Sequence, residues 1–177
     1  IRGGLTDGSY NAERGGAIAT SGSTVEMTGV TIDGNRALRQ GGGIYLNNKS
    51  TTITDSTISN NFVDIITTDT ETDGIYGSGG GIFTVSNATD CTIQNTKITN
   101  NTANALASWL GGGGIDHREK TVSVLGSVVI SGNTVNGKAN NFYPEYRTPP
   151  KDNPATPAEF NSNSLVIVTG QLTPGAS

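Results

Sequence analysis

The chain repeats two short phrases four times, and this repetition constrains its fold more than any other feature. The first phrase is a glycine cluster that ends in isoleucine, and the second is Ile-x-x-Asn. The glycine clusters occupy residues 15–18, 41–44, 79–82 and 112–115, and the second phrases occupy 32–35, 58–61, 98–101 and 130–133. Repetition at a period of tens of residues is typical of solenoids, in which each unit buries its apolar face only against its neighbours.

Apolar residues alternate with polar or small residues between the two phrases, as in Cys91/Ile93 and Val30/Ile32. A period of two predicts half-buried strands, and no stretch has the period of a helix. Aligning the four units gives three short strands in each. The sequence therefore predicts an all-β chain, folded as a right-handed single-stranded parallel β-helix of about five coils.

The asparagine of the second phrase recurs at the same place in every unit. Side-chain amides at equivalent positions of stacked coils can hydrogen-bond to one another along the stack. We therefore expect a structural ladder of asparagines, with Asn11 as a degenerate match in the first, partial coil. The ladder consists of Asn35, Asn61, Asn101 and Asn133.

Composition narrows the classes of partner. The 177 residues carry a net charge of -4 and include 33% hydrophobic residues. No basic stripe is available to neutralise phosphates, which argues against nucleic acid. No apolar run approaches the roughly 20 residues that a membrane-spanning helix needs. Cys91 is the single cysteine; it falls in a core column and is expected to be an inert buried thiol. No cofactor is indicated.

The domain organisation follows from the repeats and the prolines. Residues 1–177 are predicted to form one β-helix domain that is a fragment of a larger protein. Residues 1–14 form a partial first coil, 15–137 the repeat coils, 138–164 a Pro-rich excursion, and 165–177 the last strand and exit. Unit length varies after the asparagine, where the connectors are residues 36–40, 62–78 and 102–111. Insertions therefore leave one corner of the coil, and loops on a rigid scaffold often carry binding sites.

The two phrases resemble the Gly-Gly-Ala-Ile and Phe-x-x-Asn repeats of the polymorphic outer-membrane proteins and related bacterial surface adhesins. Residues 15–18 reproduce the first motif, whereas isoleucine replaces phenylalanine in all four copies of the second. Residues 133–142, together with the strand at 165–168 and the Thr-Gly-Gln-Leu-Thr at 169–173, resemble the ends of β-helical modules in large surface proteins of Gram-positive gut bacteria. The resemblance implies a β-helical passenger or stalk and an extracellular location at the bacterial cell surface.

Aromatic residues are the favoured candidates for ligand binding. Tyr45 and Phe83 follow the Gly-Ile phrase at equivalent positions, so they are expected to point outward from one sheet and to stack. Tyr76 and Trp109 lie at the ends of the two longest connectors. Exposed rings on neighbouring coils would offer a platform to a sugar or a protein. The alternative is that these rings only cover an otherwise bare sheet.

Two charged segments are weaker candidates. Residues 116–120, Asp-His-Arg-Glu-Lys, are expected to form a solvated turn, because consecutive charges on a strand point to alternate faces. Asp69, Glu71 and Asp73 in the longest connector could bind calcium through hard oxygen ligands. Their spacing matches no established calcium loop, so we favour a solvated acidic loop and no metal site.

These observations favour a non-catalytic stalk or adhesin module, whose loops bind a glycan or protein on a host or neighbouring cell. The alternative is a carbohydrate-active β-helix enzyme, either a polysaccharide lyase or a glycoside hydrolase. That alternative requires several carboxylates, or a Lys or Arg base, within one groove.

Overall fold

The computed structural model describes residues 1–4, 14–22, 24–64, 77–85, 90–105, 111–118, 121–144 and 165–168, with the backbone alone at 144 and 165–168. These residues contain 19 short strands and no helix. The strands belong to four sheets, each built mainly from equivalent strands of successive coils. The chain is thus a parallel β-helix, as its repeats predict.

The first two sheets follow the glycine clusters. Sheet one consists of β1 (Ile18–Ser21), β5 (Ile44–Asn47), β9 (Ile82–Thr84), β13 (Ile115–His117) and β18 (Phe142–Pro144). Sheet two consists of β2 (Thr24–Thr28), β6 (Ser50–Thr54), β10 (Cys91–Gln94), β14 (Thr121–Leu125) and β19 (Leu165–Val168).

The other two sheets lie on either side of the asparagine column. Sheet three consists of β3 (Thr31–Asp33), β7 (Thr57–Ser59), β11 (Lys97–Thr99) and β15 (Val129–Ser131). Sheet four consists of β4 (Arg36–Ala37), β8 (Phe62–Val63), β12 (Thr102–Ala103), β16 (Thr134–Val135) and β17 (Lys138–Ala139). Every pair of strands is parallel except β16 and β17.

Sheet four corrects the expectation of three strands per unit. Its parallel strands begin immediately after the ladder asparagines and are only two residues long. A strand of two residues is too short to show alternation, so it could not be distinguished from the connector that follows. The inward residues of these strands, including Val63 and Ala103, form a small apolar cluster of their own.

The main core consists of identical or similar residues stacked in register. Ile44 pairs with Ile82, which pairs with Ile115, and the isoleucine at the start of each Ile-x-x-Asn phrase forms a second column. These side chains belong to one continuous cluster, in which all are buried except the partly buried Ile130. Burying a branched aliphatic side chain contributes about 1.5–3 kcal/mol relative to exposure, so a thin core of stacked isoleucines is strongly stabilising.

Left-handed residues allow the chain to turn sharply from sheet three toward sheet four. The residue before each ladder asparagine is Gly34, Asn60, Asn100 or Gly132, with φ of 65°, 55°, 57° and 68°. Glycine and asparagine tolerate this region better than other residues. The middle glycine of each cluster has a different role: a Cβ at Gly80 would lie 2.4 Å from the carbonyl oxygen of Gly113 in the next coil. Coils could not approach as closely with any other residue there.

The ladder asparagines are buried and hydrogen-bonded from coil to coil. The Oδ1 of Asn101 accepts both the backbone N–H of Asn61, at 3.0 Å, and its Nδ2–H, at 2.9 Å. The Nδ2 of Asn101 donates to Ile58 O at 3.0 Å and to Asn133 Oδ1 at 2.9 Å. Asn35 repeats the pattern toward Asn61. Each amide thereby satisfies backbone groups that the turn would otherwise leave unpaired.

Two residues outside the repeated phrases close the ends of this ladder. Gly4 donates its backbone N–H to Asn35 Oδ1, so Gly4 takes the place that we predicted for Asn11, which lies outside the described residues. At the other end, Asn141 Oδ1 accepts from the backbone N–H and the Nδ2 of Asn133, both at 3.1 Å. Gly4 and Asn141 therefore extend the ladder contacts by one residue at each end.

A tight hairpin delivers Asn141 to this position. Asn136 and Gly137, with φ of 49° and 74°, join β16 to β17, and an Asn-Gly pair with two positive φ angles is the preferred two-residue hairpin turn. Residues 138–139 and 142–144 consequently form β17 and β18. The start of the Pro-rich excursion, predicted at 138, therefore falls within the coils, because the hairpin signal at Asn136-Gly137 was overlooked.

The ladder predicts a large penalty for removing a central amide. Replacing Asn101 with alanine leaves the Asn61 donors and Ile58 O buried without partners, which should lower the free energy of unfolding by about 3 kcal/mol. Asn47→Ala is the matched control, because its amide makes one long, exposed contact with Ser21, and a change within about 0.5 kcal/mol is expected. Urea unfolding measures both. Equal losses in the two variants would contradict a stabilising ladder.

Cys91 should be chemically inert while the chain is folded. It is fully buried in sheet two, and burial raises the pKa of its thiol to about 12. Since the thiolate is the reactive form, a disulfide reagent should label Cys91 at pH 8 only as fast as the coil opens, and immediately in denaturant. Rapid labelling of the native chain would show that this core column is accessible.

Candidate functional site

The connectors that vary in length run from sheet four to sheet one. Strand β8 ends at Val63 and β9 begins at Ile82; β12 ends at Ala103 and β13 begins at Ile115. The outer face of sheet one is therefore the face next to the insertions. Tyr76, Trp109, Asp69, Glu71 and Asp73 lie outside the described residues, and their proposed roles stay predictions.

Tyr45 and Phe83 form the predicted stack on this face. They are register partners in β5 and β9, with ring centroids 5.8 Å apart and planes 3° from parallel. Phe83, however, is only 2% exposed, so it is not part of an open platform. Tyr45 is half-buried, and burial raises the pKa of its hydroxyl, with an opposing effect of the Arg14 charge. Only the Tyr45 end of the stack reaches solvent.

Arginine guanidinium groups extend the stack at both ends. Arg14, in the first coil, lies 5.3 Å from the centroid of Tyr45, and Arg118, in the fourth, lies 5.4 Å from that of Phe83. Cations over aromatic faces contribute about 0.5–2 kcal/mol each, depending on desolvation. The four groups therefore form one column, Arg14–Tyr45–Phe83–Arg118, which we call the arginine–aromatic stack.

Asp116 forms an ion pair with Arg118. The solvated turn expected at 116–120 is therefore wrong for these two residues. The Asp116 carboxylate is buried and accepts two hydrogen bonds from Arg118, from Nε and Nη2, both at 2.9 Å. Asp116 belongs to β13, and side chains two apart on a strand share a face, which brings these two charges together. Glu119 and Lys120 lie outside the described residues.

His117 points to the opposite side, into the interior of the coil. It is fully buried, and its Nδ1 lies 2.8 Å from Thr84 Oγ1, which also accepts the backbone N–H of Arg118 at 3.1 Å. His117 is therefore part of the interior and not of a solvated turn. Its burial on the far side of β13 separates it from the Asp116–Arg118 pair.

A third arginine–aromatic contact lies on sheet four. The Arg36 guanidinium is 6.0 Å from the centroid of Phe62 and forms an ion pair with Asp64. Sequence reasoning did not identify any of these arginine contacts, because each joins residues in different coils. Once the register of the coils is known, Arg36 lies directly opposite Phe62. The contact between these two residues could then have been predicted.

Comparisons with known proteins identify no relative: no family model, no curated protein and no solved structure matches this chain. Within the described residues, no group of three or more His, Cys, Asp or Glu side chains could hold a metal ion. No helix capable of crossing a membrane occurs in the part of the chain that the structure describes.

The Asp116–Arg118 pair should be strongly coupled to folding. Asp116→Ala removes the carboxylate from a buried guanidinium, which should cost about 3–5 kcal/mol in urea unfolding. Asp64→Ala is the control, because it removes the carboxylate from the exposed Arg36 pair, and a loss below about 1 kcal/mol is expected.

An uncharged substitution of both partners supplies the second test. Asp116→Asn combined with Arg118→Met leaves no buried charge, so it should recover part of the stability that Asp116→Ala loses. A double variant no more stable than the single one would show that the penalty does not come from an unpaired charge.

Proposed function

We propose that this chain is a non-catalytic β-helical module of an exported bacterial surface protein. In this proposal the stacked coils form a rigid support, and the connectors between sheets four and one carry the binding surface. The ligand is a glycan or protein on a host or neighbouring cell. The module holds its ligand non-covalently and does not change it.

The observation that carries this proposal is the pairing of Asp116 with Arg118 on the outer face of sheet one, next to the insertions. Both oxygens of Asp116 are bound to Arg118, so this carboxylate is not free to act as a base or nucleophile. A β-helix hydrolase needs two carboxylates that flank a scissile bond. Among the described residues this face presents instead the Tyr45 ring and the Arg14 guanidinium, groups that can recognise a ligand non-covalently.

A glycan array that includes mucin and plant polysaccharides tests the proposal, with every bound glycan then incubated and sized by chromatography. We expect retention of at least one glycan class without shortening. Tyr45→Ala should weaken that retention, because Tyr45 is the solvent-facing ring of the stack. Phe62→Ala is the comparison variant, because it removes an arginine-stacked ring from sheet four and leaves the ring on sheet one in place.

A bound polysaccharide that becomes shorter would establish the carbohydrate-active enzyme instead. Retention that Tyr45→Ala leaves unchanged would move the binding surface away from sheet one. Variants Tyr76→Ala and Trp109→Ala, in the same array, test whether the long connectors carry it.

A further inference from the structure

The three arginine–aromatic contacts of the described residues differ in one respect. Arg118 is paired with Asp116, and Arg36 is paired with Asp64. Arg14 lies over Tyr45 in the same manner, but among the described residues no carboxylate is within ion-pair distance of it. Within the described residues, the arginine–aromatic stack is therefore neutralised at its Arg118 end and not at its Arg14 end.

The surroundings of Arg14 favour a partner with negative charge. Its Nε is buried and has no hydrogen-bond partner. Its terminal nitrogens, Nη1 and Nη2, are not buried in this way. The guanidinium is thus partly desolvated and held against Tyr45, with its Nη edge outermost. A guanidinium edge offers two parallel N–H donors, a geometry that matches the two oxygens of a carboxylate.

The row of aromatic side chains ends at Tyr45, because the equivalent residue of the first coil is small. The register partner of Tyr45 in the first coil is Ala19, which is exposed and carries only a methyl group. A ring-sized group can therefore lie beside Arg14 without displacing a side chain of β1. Ser21 shares the outward face of β1 with Ala19, two residues further along the strand, and Tyr45 carries a phenolic hydroxyl.

We propose that the edge formed by Nη1 and Nη2 of Arg14 binds the carboxylate of an acidic sugar, whereas Arg118 binds the carboxylate of Asp116 through Nε and Nη2. This inference rests on the proposed binding function and names the ligand class. A sugar acid fits this surface because its ring can lie beside Tyr45 and its own hydroxyls can bond to those of Ser21 and Tyr45. An acidic peptide with several charges fits less well, because the chain carries a net charge of -4 and repels polyanions.

Titration calorimetry tests the proposal with a short oligosaccharide that contains glucuronate and its neutral glucose counterpart. The wild-type chain should bind the acidic oligosaccharide and prefer it over the neutral one. Arg14→Gln should weaken binding about tenfold or more, since hydrogen bonds to charged groups contribute about 1.5–3 kcal/mol. Arg14→Lys keeps the charge without the two-donor edge and should lie between the two.

Arg36→Gln is the matched control, because it removes an equivalent arginine whose carboxylate the chain already supplies. It should leave the affinity for the acidic oligosaccharide unchanged. Thermal unfolding by circular dichroism shows whether each variant is folded. Should Arg14→Gln unfold, the Arg14→Lys variant and the preference of the wild type for the acidic sugar still decide the question.

Three outcomes would overturn the proposal. Equal affinity for the acidic and neutral sugars, with no effect of Arg14→Gln, would reject the carboxylate site but leave the binding module intact. Binding of an acidic tetrapeptide in place of the sugar would assign the site to a protein partner. If the chain bound neither oligosaccharide while the array still retained other glycans, the Arg14 site would be rejected and the proposed binding function would stand.

Discussion

The asparagine ladder is the interaction on which the rest of the structure depends. Each coil must turn between sheets three and four, and the turn leaves backbone N–H and C=O groups facing the interior. Asn61, Asn101 and Asn133 satisfy these groups with amides that also bind one another. Because buried unpaired polar groups cost more than a hydrogen bond contributes, the ladder fixes the register of neighbouring coils. The isoleucine columns can then stack in line.

Register in turn determines what lies on the outer faces. Once Ile44 pairs with Ile82, Tyr45 must lie opposite Phe83, and Phe83 opposite Asp116. Arginines from the coils on either side complete the column. The candidate site is thus a consequence of the same one-coil repeat that builds the core. Its chemistry, however, comes from departures from the repeat, because Ala19 and Asp116 differ from the aromatic residues between them.

The sequence predicted the features that repeat and missed those that occur once. The glycine clusters and Ile-x-x-Asn phrases were enough for the β-helix, the isoleucine core and the ladder positions. Asn141 was missed because it reaches the ladder through a hairpin and lies in no repeated phrase. Burial of Asp116 and Arg118 was missed because alternation shows which face a residue takes, but not whether that face is covered. Arg14 was missed because its ring partner lies in the next coil.

Hydrogen exchange of the ladder amides tests the central claim most directly. The backbone N–H groups of Asn35, Asn61 and Asn101 lie in turns, yet each is donated to the side-chain oxygen of the next coil. The ladder predicts that they exchange as slowly as amides in the buried strands, and that the Asn61 and Asn101 Nδ2 protons are also protected. Exchange at the rate of exposed turn amides would show that the ladder does not hold the coils in register.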